Sequence, residues 1–171
     1  MKEWLVVDGY NVINSWQDFR KFREENLEHA RELLKEKLTE YIAFKGYSGI
    51  VVFDAQEVQG VASFEKNGAL EIVFTNEGET ADSWIERRVY DLVKSGSSVF
   101  VVTSDYAEQL NVLGSGAYRI SAREFREEYL LTKKQIAQRS ERIARGLGRN
   151  ELGCRLQEHI LDHFEKLRRN T

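Results

Sequence analysis

Four aspartates lie at positions where α/β proteins carry catalytic or ligand-binding side chains. Three of them, Asp8, Asp54 and Asp105, come at or just after the ends of short apolar segments that are typical of buried strands. The fourth, Asp82, lies in the first turn of a predicted helix. The carboxyl ends of parallel strands lie at one edge of a sheet, where ligands bind. We therefore expect these four side chains to converge from distant parts of the sequence.

Converging carboxylates repel one another unless protons or a cation compensate their charge. Mg²⁺ and Mn²⁺ take oxygen ligands, so the four acids predict a site for one of these ions, which would activate a water and neutralise charge on a phosphoryl group. Each aspartate also has a structural alternative, because aspartate is common in turns after strands and Asp82 could complement a helix dipole. The alternative stays open for each residue alone and is weaker for all four together.

Other catalytic signatures are missing from the sequence. There is no P-loop, no GxGxxG and no GxSxG motif, which disfavours nucleotide hydrolysis, dinucleotide binding and esterase chemistry. The histidines, His29, His159 and His163, lie away from the predicted strand ends, which disfavours a metal-free ribonuclease that uses histidine as acid and base. A lysine after a late strand, which a phosphoacceptor receiver domain needs, is absent as well.

The apolar pattern predicts strands that alternate with helices. Strands are expected at residues 3–7, 50–53, 70–74, 99–102 and 117–120. Helices are expected from Asn26 to Gly46, from Thr80 to Gly96, near residues 107–113, at 122–130 and at 132–169, the last in two pieces broken near residues 146–148. A turn is expected at Asp8 and Gly9, and residues 55–68 are expected to be irregular. The continuous β-branched strands favour an open parallel sheet with helices on both faces.

Length and composition fit one domain with an appendage. The chain has 171 residues, of which 42% are hydrophobic and 31% charged, a globular mixture. No apolar run approaches the roughly 18 residues of a membrane span, and no signal peptide is visible, so no membrane partner is expected. The lone cysteine, Cys154, excludes an internal disulfide; it suits a reducing cytoplasm and predicts no disulfide-linked partner.

The net charge of −3 hides a division along the chain. Residues 1–117 hold 12 basic and 20 acidic residues, a net charge of −8, whereas residues 118–171 hold 13 basic and 8 acidic residues, a net charge of +5. The total argues weakly against a nucleic-acid partner, but the basic C-terminal part does not. We therefore expect the proposed cation site in the acidic part and a polyanion contact in the basic part.

Four segments of the sequence resemble the NYN domains, which are relatives of PIN-domain nucleases, and within them the bacterial YacP-like family. The matching segments are, in chain order, residues 6–13 (VVDGYNVI), 52–55 (VFDA), 79–82 (ETAD) and 103–106 (TSDY), with Glu108 and Gln109 close behind. The match extends through most of residues 1–130 in the order and spacing of the family. The resemblance implies a PIN-like three-layer α/β fold with a central parallel sheet, formed by residues 1–130. It also implies a helical extension, residues 131–171, packed on the same domain.

The resemblance further implies a metal-dependent endoribonuclease that is associated with the ribosome and acts in mRNA decay. Carried over by motif, Asp8 and Asp82 would be the central ligands of Mg²⁺ or Mn²⁺, and Asp105 a third catalytic acid and ligand. The remaining motif residues would have supporting roles: Asn11 positions the metal or the phosphate, Asp54 lies further out, Ser104 makes a polar contact, and Glu79 either supports the site or is simply solvated.

A basic segment follows the nuclease-like part of the chain. Its cations are candidates for RNA or ribosome contact, because its helix is expected to have a core side with Ile136, Ile143 and Leu147 and an exposed side that carries the four arginines. These cations are Lys133, Lys134, Arg139, Arg142, Arg145 and Arg149. Without the family resemblance, a solvated charged face would be the preferred interpretation.

Two other functional classes remain open at this point. One is a non-catalytic module that binds RNA or the ribosome and keeps the acids for structure. The other is a Mg²⁺-dependent phosphatase or a receiver domain, which would use the same sheet edge. Aromatic residues near the predicted crevice, Tyr10, Trp16 and Tyr106, could stack on bases or pack against the core.

Overall fold

The structure, a computed structural model of the 171-residue chain, describes residues 2–54, 63–104 and 116–169. For residues 23, 24 and 146–169 it describes the backbone alone. Its strands are β1 (Glu3–Asp8), β2 (Ser48–Phe53), β3 (Phe64–Asn67), β4 (Leu70–Phe74), β5 (Ser98–Val102) and β6 (Tyr118–Ile120). Its helices are α1 (Gly9–Ser15), α2 (Phe22–Glu25), α3 (Leu27–Lys45), α4 (Ala81–Lys94) and α5 (Ala122–Arg169), with a 3₁₀ turn at Gln17–Phe19.

Within the described residues, the strands form one sheet in the order β3-β4-β2-β1-β5-β6. All neighbouring pairs are parallel except β3 and β4. The expected α/β fold with a parallel sheet is therefore confirmed, and the carboxyl ends of β1, β2, β4 and β5 share one edge, which we call the carboxyl edge. The expectation of irregular structure is wrong for residues 64–67, because β3 pairs with β4 through a tight turn at Gly68.

Helices cover both faces of the sheet. Alternate residues of β1 point to opposite sides, so Leu5 and Val7 pack in one cluster with α1, α3 and the first turns of α5. Trp4 and Val6 pack in a second cluster with α4. We call these two sides the α3 face and the α4 face. This arrangement is the three-layer architecture that the sequence predicts.

Helices α3 and α4 begin at the expected residues. Asn26 caps α3 by accepting the backbone N–H of His29 at 2.9 Å, and Gly46 ends the helix in the left-handed region with φ of 75°. Thr80 caps α4 by accepting the backbone N–H of Ser83 at 3.2 Å. Both sequence predictions are confirmed, because a cap is a local interaction that a short pattern specifies.

The C-terminal residues form one helix rather than several. α5 runs from Ala122 to Arg169, so the expected separate helix at 122–130 and the break near residues 146–148 are wrong. A glycine inside a helix costs only about 1 kcal/mol relative to alanine, and the chain has no proline to interrupt the helix. The chain divides into two compact units, Met1–Thr132 and Lys133–Thr171. The expected packing of the extension on the domain stays a prediction. In the described part of the chain, no helix is long and apolar enough to cross a membrane.

Candidate active site at the carboxyl edge

Asp8 ends the central strand and begins the first helix. Its Oδ1 accepts the backbone N–H of Asn11 at 3.0 Å, which makes Asp8 the N-cap of α1. The turn expected at Asp8 and Gly9 is therefore wrong, because the helix starts at Gly9 itself. A Cβ atom at Gly9 would lie 2.3 Å from Cε1 of Phe53, so the missing side chain allows α1 to begin directly beside β2.

The environment of Asp8 disfavours its charged form. Only 9% of the residue is exposed, and burial raises the pKa of the carboxyl from its ordinary 3.8 to about 6. The backbone N–H groups of Asn11 and Tyr10 lower this pKa, whereas the carboxylates of Asp82 and Asp54 raise it further. Charge interactions weaken with distance, so these effects indicate that Asp54 and Asp82 each lie near Asp8. We call these three residues the acidic cluster.

The acidic cluster belongs to the α4 face of the carboxyl edge. Asp8 follows Val6 and Asp54 follows Val52 at two-residue spacing, and both valines pack in the cluster beneath α4. Asp82 is exposed in the first turn of α4, and Asp54 is half-buried just after β2. The structure thus brings together three of the four acids that the sequence singled out. The fourth, Asp105, lies outside the described residues.

The donor chemistry of the acidic cluster fits a hard divalent cation. Carboxylate oxygens are the ligands that Mg²⁺ and Mn²⁺ prefer, and a cation would offset the repulsion that raises the pKa of Asp8. Among the side chains that the structure describes, no three of His, Cys, Asp or Glu are grouped closely enough to hold a metal ion by themselves. The described residues therefore supply part of a ligand set, and a role for Asp105 as a further ligand stays a prediction.

Asn11 and Ser104 connect the ends of two strands to the last helix. The Asn11 Oδ1 accepts the backbone N–H of Ser104 at 3.0 Å, and the Ser104 Oγ accepts the N–H of Ala122 at 3.2 Å. Trp16 Nε1 donates to the carbonyl of Ala122 at 2.7 Å. The side chain of Trp16 is buried in the core, so packing explains it. This chain of hydrogen bonds fixes Ser104, the residue before Asp105, relative to Asp8.

Glu79 organises the approach to α4 and is not simply solvated. Its Oε2 accepts the backbone N–H and the side-chain Nδ2 of Asn76 at 3.4 and 3.2 Å. Its Oε1 forms an ion pair with Arg87 on α4, and 16% of its side chain is exposed. Glu79 therefore supports the turn that precedes Asp82, although no described contact joins it to the acidic cluster itself.

A cationic and aromatic group on the α3 face was not predicted from the sequence. Arg31 Nη1 donates to the hydroxyl oxygen of Tyr10 at 3.1 Å, and the guanidinium carbon lies 6.0 Å from the ring centre of Phe74. The ring of Tyr10 meets Phe53 edge-on at 5.3 Å, and Phe53 stacks on Phe74 at 5.4 Å. Phe53 and Phe74 are the last residues of β2 and β4, so this group also lies at the carboxyl edge.

The basic candidates on α5 are exposed wherever their side chains are described. Lys133, Lys134, Arg139, Arg142 and Arg145 are all accessible to solvent, and Arg145 lies 3.5 Å from Glu141 one helical turn away. The side chain of Arg149 lies outside the described part. Ile143 is 57% exposed, so the expected core side of this helix is wrong at that position. The contacts of the five described cations with RNA or the ribosome stay predictions.

The fold and the acidic edge define a protein of the NYN class. A family model for the YacP-like NYN domain matches residues 5–169 of the chain. The chain therefore belongs to the YacP-like NYN family, as the resemblance of its motifs implied.

Relatives from Bacillus subtilis support this assignment. The chain is 38% identical to the protein YacP of strain 168 over 165 residues, which cover 96% of each chain. It is also similar to the crystal structure of Rae1 (YacP) from Bacillus subtilis, with a TM-score of 0.74, 38% identity, and coverage of 96% of this chain and 94% of the other. A crystal structure of a point mutant of Rae1 matches with a TM-score of 0.73 over 84% of each chain. Family membership indicates a nuclease-type, RNA-related function.

Proposed function

We propose that this protein is a metal-dependent endoribonuclease that hydrolyses RNA phosphodiester bonds. The observation that supports the proposal is the acidic cluster in a chain of the YacP-like NYN family. Asp54 and Asp82 raise the pKa of the buried Asp8, at the edge where parallel sheets bind ligands. A protein that kept these acids only for structure would gain nothing from their mutual repulsion.

In the proposed mechanism Asp8, Asp82 and Asp105 hold Mg²⁺ or Mn²⁺, and Asp54 contributes negative charge nearby. A divalent cation in such a site supplies activation of a water and neutralisation of charge on the phosphoryl group. The cap on α1 orients Asp8, and the hydrogen bond from Ser104 to Asn11 aligns the end of β5 with the end of β1. The proposed products carry 5′-phosphate and 3′-hydroxyl ends.

The test is cleavage of a single-stranded RNA by wild type, Asp82→Asn and Asp91→Asn, with Mg²⁺ and with EDTA. Asp91 is a matched control because it is an exposed aspartate near the other end of the same helix, away from the carboxyl edge. We expect Asp82→Asn and EDTA each to abolish cleavage and Asp91→Asn to cleave like wild type. Wild-type activity in Asp82→Asn would overturn the assignment of the acidic cluster.

We further propose that the substrate is mRNA on or near the ribosome, so that the protein acts in mRNA decay in the cytoplasm. The exposed cations of α5 support this, since polyanion contact is what such a basic surface favours. The experiment compares a translated and an untranslated mRNA, with and without ribosomes, for wild type and Asp8→Asn. Cleavage by wild type alone, increased by translation, is expected.

The same exposed cations favour a second candidate function, a non-catalytic module that binds RNA or the ribosome. That function predicts ribosome binding by wild type and Asp8→Asn alike, with no cleavage of any RNA by either. Equal cleavage of the translated and the untranslated mRNA would instead contradict the ribosomal part of the proposal and leave the endoribonuclease part in place.

A further inference from the structure

Arg31 occupies an unusual position for a cation in this molecule. It lies on α3, half-buried, against the aromatic residues that end β2 and β4, on the face of the carboxyl edge opposite to the acidic cluster. Its guanidinium donates to the Tyr10 hydroxyl, and Tyr10 is two residues from Asp8. Residues 8–10 thus place the Asp8 carboxylate on one face of the carboxyl edge and the Tyr10 hydroxyl, which binds the Arg31 cation, on the other.

Arg31 differs from the neighbouring cation, Lys35, in its ion pairs. Lys35, one helical turn further on, lies 5.8 Å from the Phe74 ring but is paired with Glu32 at 2.7 Å and with Glu65 at 3.7 Å. Arg31 has no carboxylate within salt-bridge distance in the described part of the chain. Its described polar partner is a neutral hydroxyl, which takes one of the five N–H donors of the guanidinium.

An arginine that is oriented by a hydroxyl and an aromatic ring, and that forms no ion pair with a described carboxylate, is suited to an anion with a planar pair of oxygens. The guanidinium fork matches a phosphate in a bidentate manner, and a cation held in advance loses less side-chain entropy on binding. The acidic cluster by itself would repel an RNA backbone. A cation on the opposite face of the same edge would offset that repulsion for a phosphate of the strand that flanks the reactive one.

We propose that Arg31, held by Tyr10 and Phe74, is a phosphate-binding subsite for the RNA strand where it crosses the carboxyl edge from the α3 face to the acidic cluster. This proposal rests on the proposed endoribonuclease function and adds to it the residue that binds a phosphate flanking the reactive one. Arg31 is a binding residue here and takes no part in the bond-breaking step.

The experiment measures equilibrium binding of a fluorescent single-stranded RNA in EDTA, from about 50 to about 200 mM salt, for wild type and variants. Arg31→Gln removes the charge and keeps a polar stem of similar length. We expect it to weaken binding about tenfold and to reduce the salt-dependence slope by about 0.7, the value for one phosphate contact on a single strand. Tyr10→Phe leaves the charge but frees the guanidinium, so affinity should fall while the slope is kept.

Lys37→Gln is the matched control. Lys37 is on the same helix and also lies over an aromatic ring, at 5.1 Å from the centre of Tyr129, but away from Phe74. We expect its affinity and slope to equal those of wild type. Thermal unfolding of every variant within a few degrees of wild type shows that the comparison is between folded proteins. With Mg²⁺, Arg31→Gln should raise KM for RNA cleavage more than it lowers kcat.

The possible results distinguish a failure of the proposed phosphate subsite from a failure of the proposed endoribonuclease function. If wild type cleaves RNA but Arg31→Gln binds with unchanged affinity and slope, the subsite is wrong and the endoribonuclease proposal stands. An equal loss in Lys37→Gln and Arg31→Gln also overturns the subsite, because a general charge effect would then explain both. If wild type neither binds nor cleaves RNA, both proposals fail.

Discussion

Asp8 at the carboxyl edge is buried, whereas Glu128 on α5 is half-buried beside the end of α3, and the pKa values of these two acids move in opposite directions. Burial raises the pKa of Glu128, but hydrogen bonds from Lys45 and Tyr41 more than offset this and hold the pKa below its usual range. Lys45 Nζ lies 2.7 Å from Glu128 Oε1. Asp8 receives backbone N–H groups and faces two further carboxylates, so its pKa rises to about 6.

The difference separates a carboxylate whose charge is compensated within the fold from one whose charge no described cation compensates. Glu128 has its counter-charge within the fold and adds to stability as it stands. Asp8 is ionised at neutral pH only at a cost, and the described residues provide no cation to reduce it. Acids with shifted pKa values are common at functional sites, because catalysis or binding, and not stability, accounts for the shift. The predictions below test this contrast, with the largest expected effect first.

Exchanging each carboxyl for an amide should affect activity at one site only. Asp8→Asn keeps the shape and removes a charge from the proposed metal site, where a bound ion would stabilise a phosphoryl transition state by several kcal/mol. We expect the rate of RNA cleavage in Mg²⁺ to fall about 10³-fold in Asp8→Asn and to be unchanged in Glu128→Gln. Initial rates on one labelled RNA check both. Comparable losses in the two variants would remove the contrast.

Asp8→Asn should also make the metal-free protein more stable. The folded-state pKa of about 6 lies above the ordinary 3.8, so the folded protein holds this proton more tightly than the unfolded chain does. The contribution of Asp8 to stability therefore falls as pH rises from about 4 to about 6, and its full penalty, about 3 kcal/mol, applies above that range. Asparagine does not ionise and can still accept the N–H of Asn11.

Chemical denaturation in EDTA at pH 4 and pH 8 measures this difference. The two proteins should be closely similar at pH 4, and Asp8→Asn should be the more stable at pH 8. A gain of the same size at both pH values would show that the ionisation of Asp8 is not its cause. Added Mg²⁺ should stabilise wild type more than Asp8→Asn, since only the former has the full ligand charge.

Gly9→Ala should damage the carboxyl edge sterically. Gly9 does not have the positive φ seen at Gly46, so alanine fits its backbone, but the new Cβ would lie 2.3 Å from the buried ring of Phe53. Overpacking of this kind costs about 2 kcal/mol. Denaturant midpoints of Gly9→Ala, Phe53→Leu and the double variant check the cause. The double variant should lose less than the two single losses together, and simple additivity would contradict the clash.

Local signals in the sequence predicted most of the sheet and its acids. The continuous apolar strands place Asp8 and Asp54 at one edge, and the caps Asn26 and Thr80 mark where α3 and α4 begin. The sequence missed β3 because all its side chains are exposed, so it has no apolar pattern. It placed breaks in α5 because glycine lowers helix propensity, although a cost of about 1 kcal/mol does not end a helix.

The contacts that complete the site join residues far apart in the sequence, so no local sequence pattern predicts them. Asn11 and Ser104 are 93 positions apart, and Arg31 and Tyr10 are 21 apart. Motif reasoning named Asn11 and Ser104 without predicting the hydrogen bond between them, in which the Asn11 Oδ1 accepts the backbone N–H of Ser104. Arg31 belongs to no motif. Its position matters only because α3 packs against the end of β4, which is a property of the folded chain.

Glu128→Gln should lower stability slightly, and only above the ordinary pKa of a glutamate. The pKa of Glu128 is lowered in the folded state, so the stability that its charge adds is present at neutral pH and is lost as pH falls through the acidic range. The side chain is 39% exposed, so solvent screens the pair and the expected loss is below about 1 kcal/mol. Lys45→Met, Glu128→Gln and the double variant form a cycle at pH 7. A second cycle, with Asp8→Asn, Asp82→Asn and the double variant, gives the coupling free energy between Asp8 and Asp82. If the coupling free energy between Lys45 and Glu128 were the larger of the two, Glu128 would not have a minor structural role, and the contrast between the two carboxylates would be reversed.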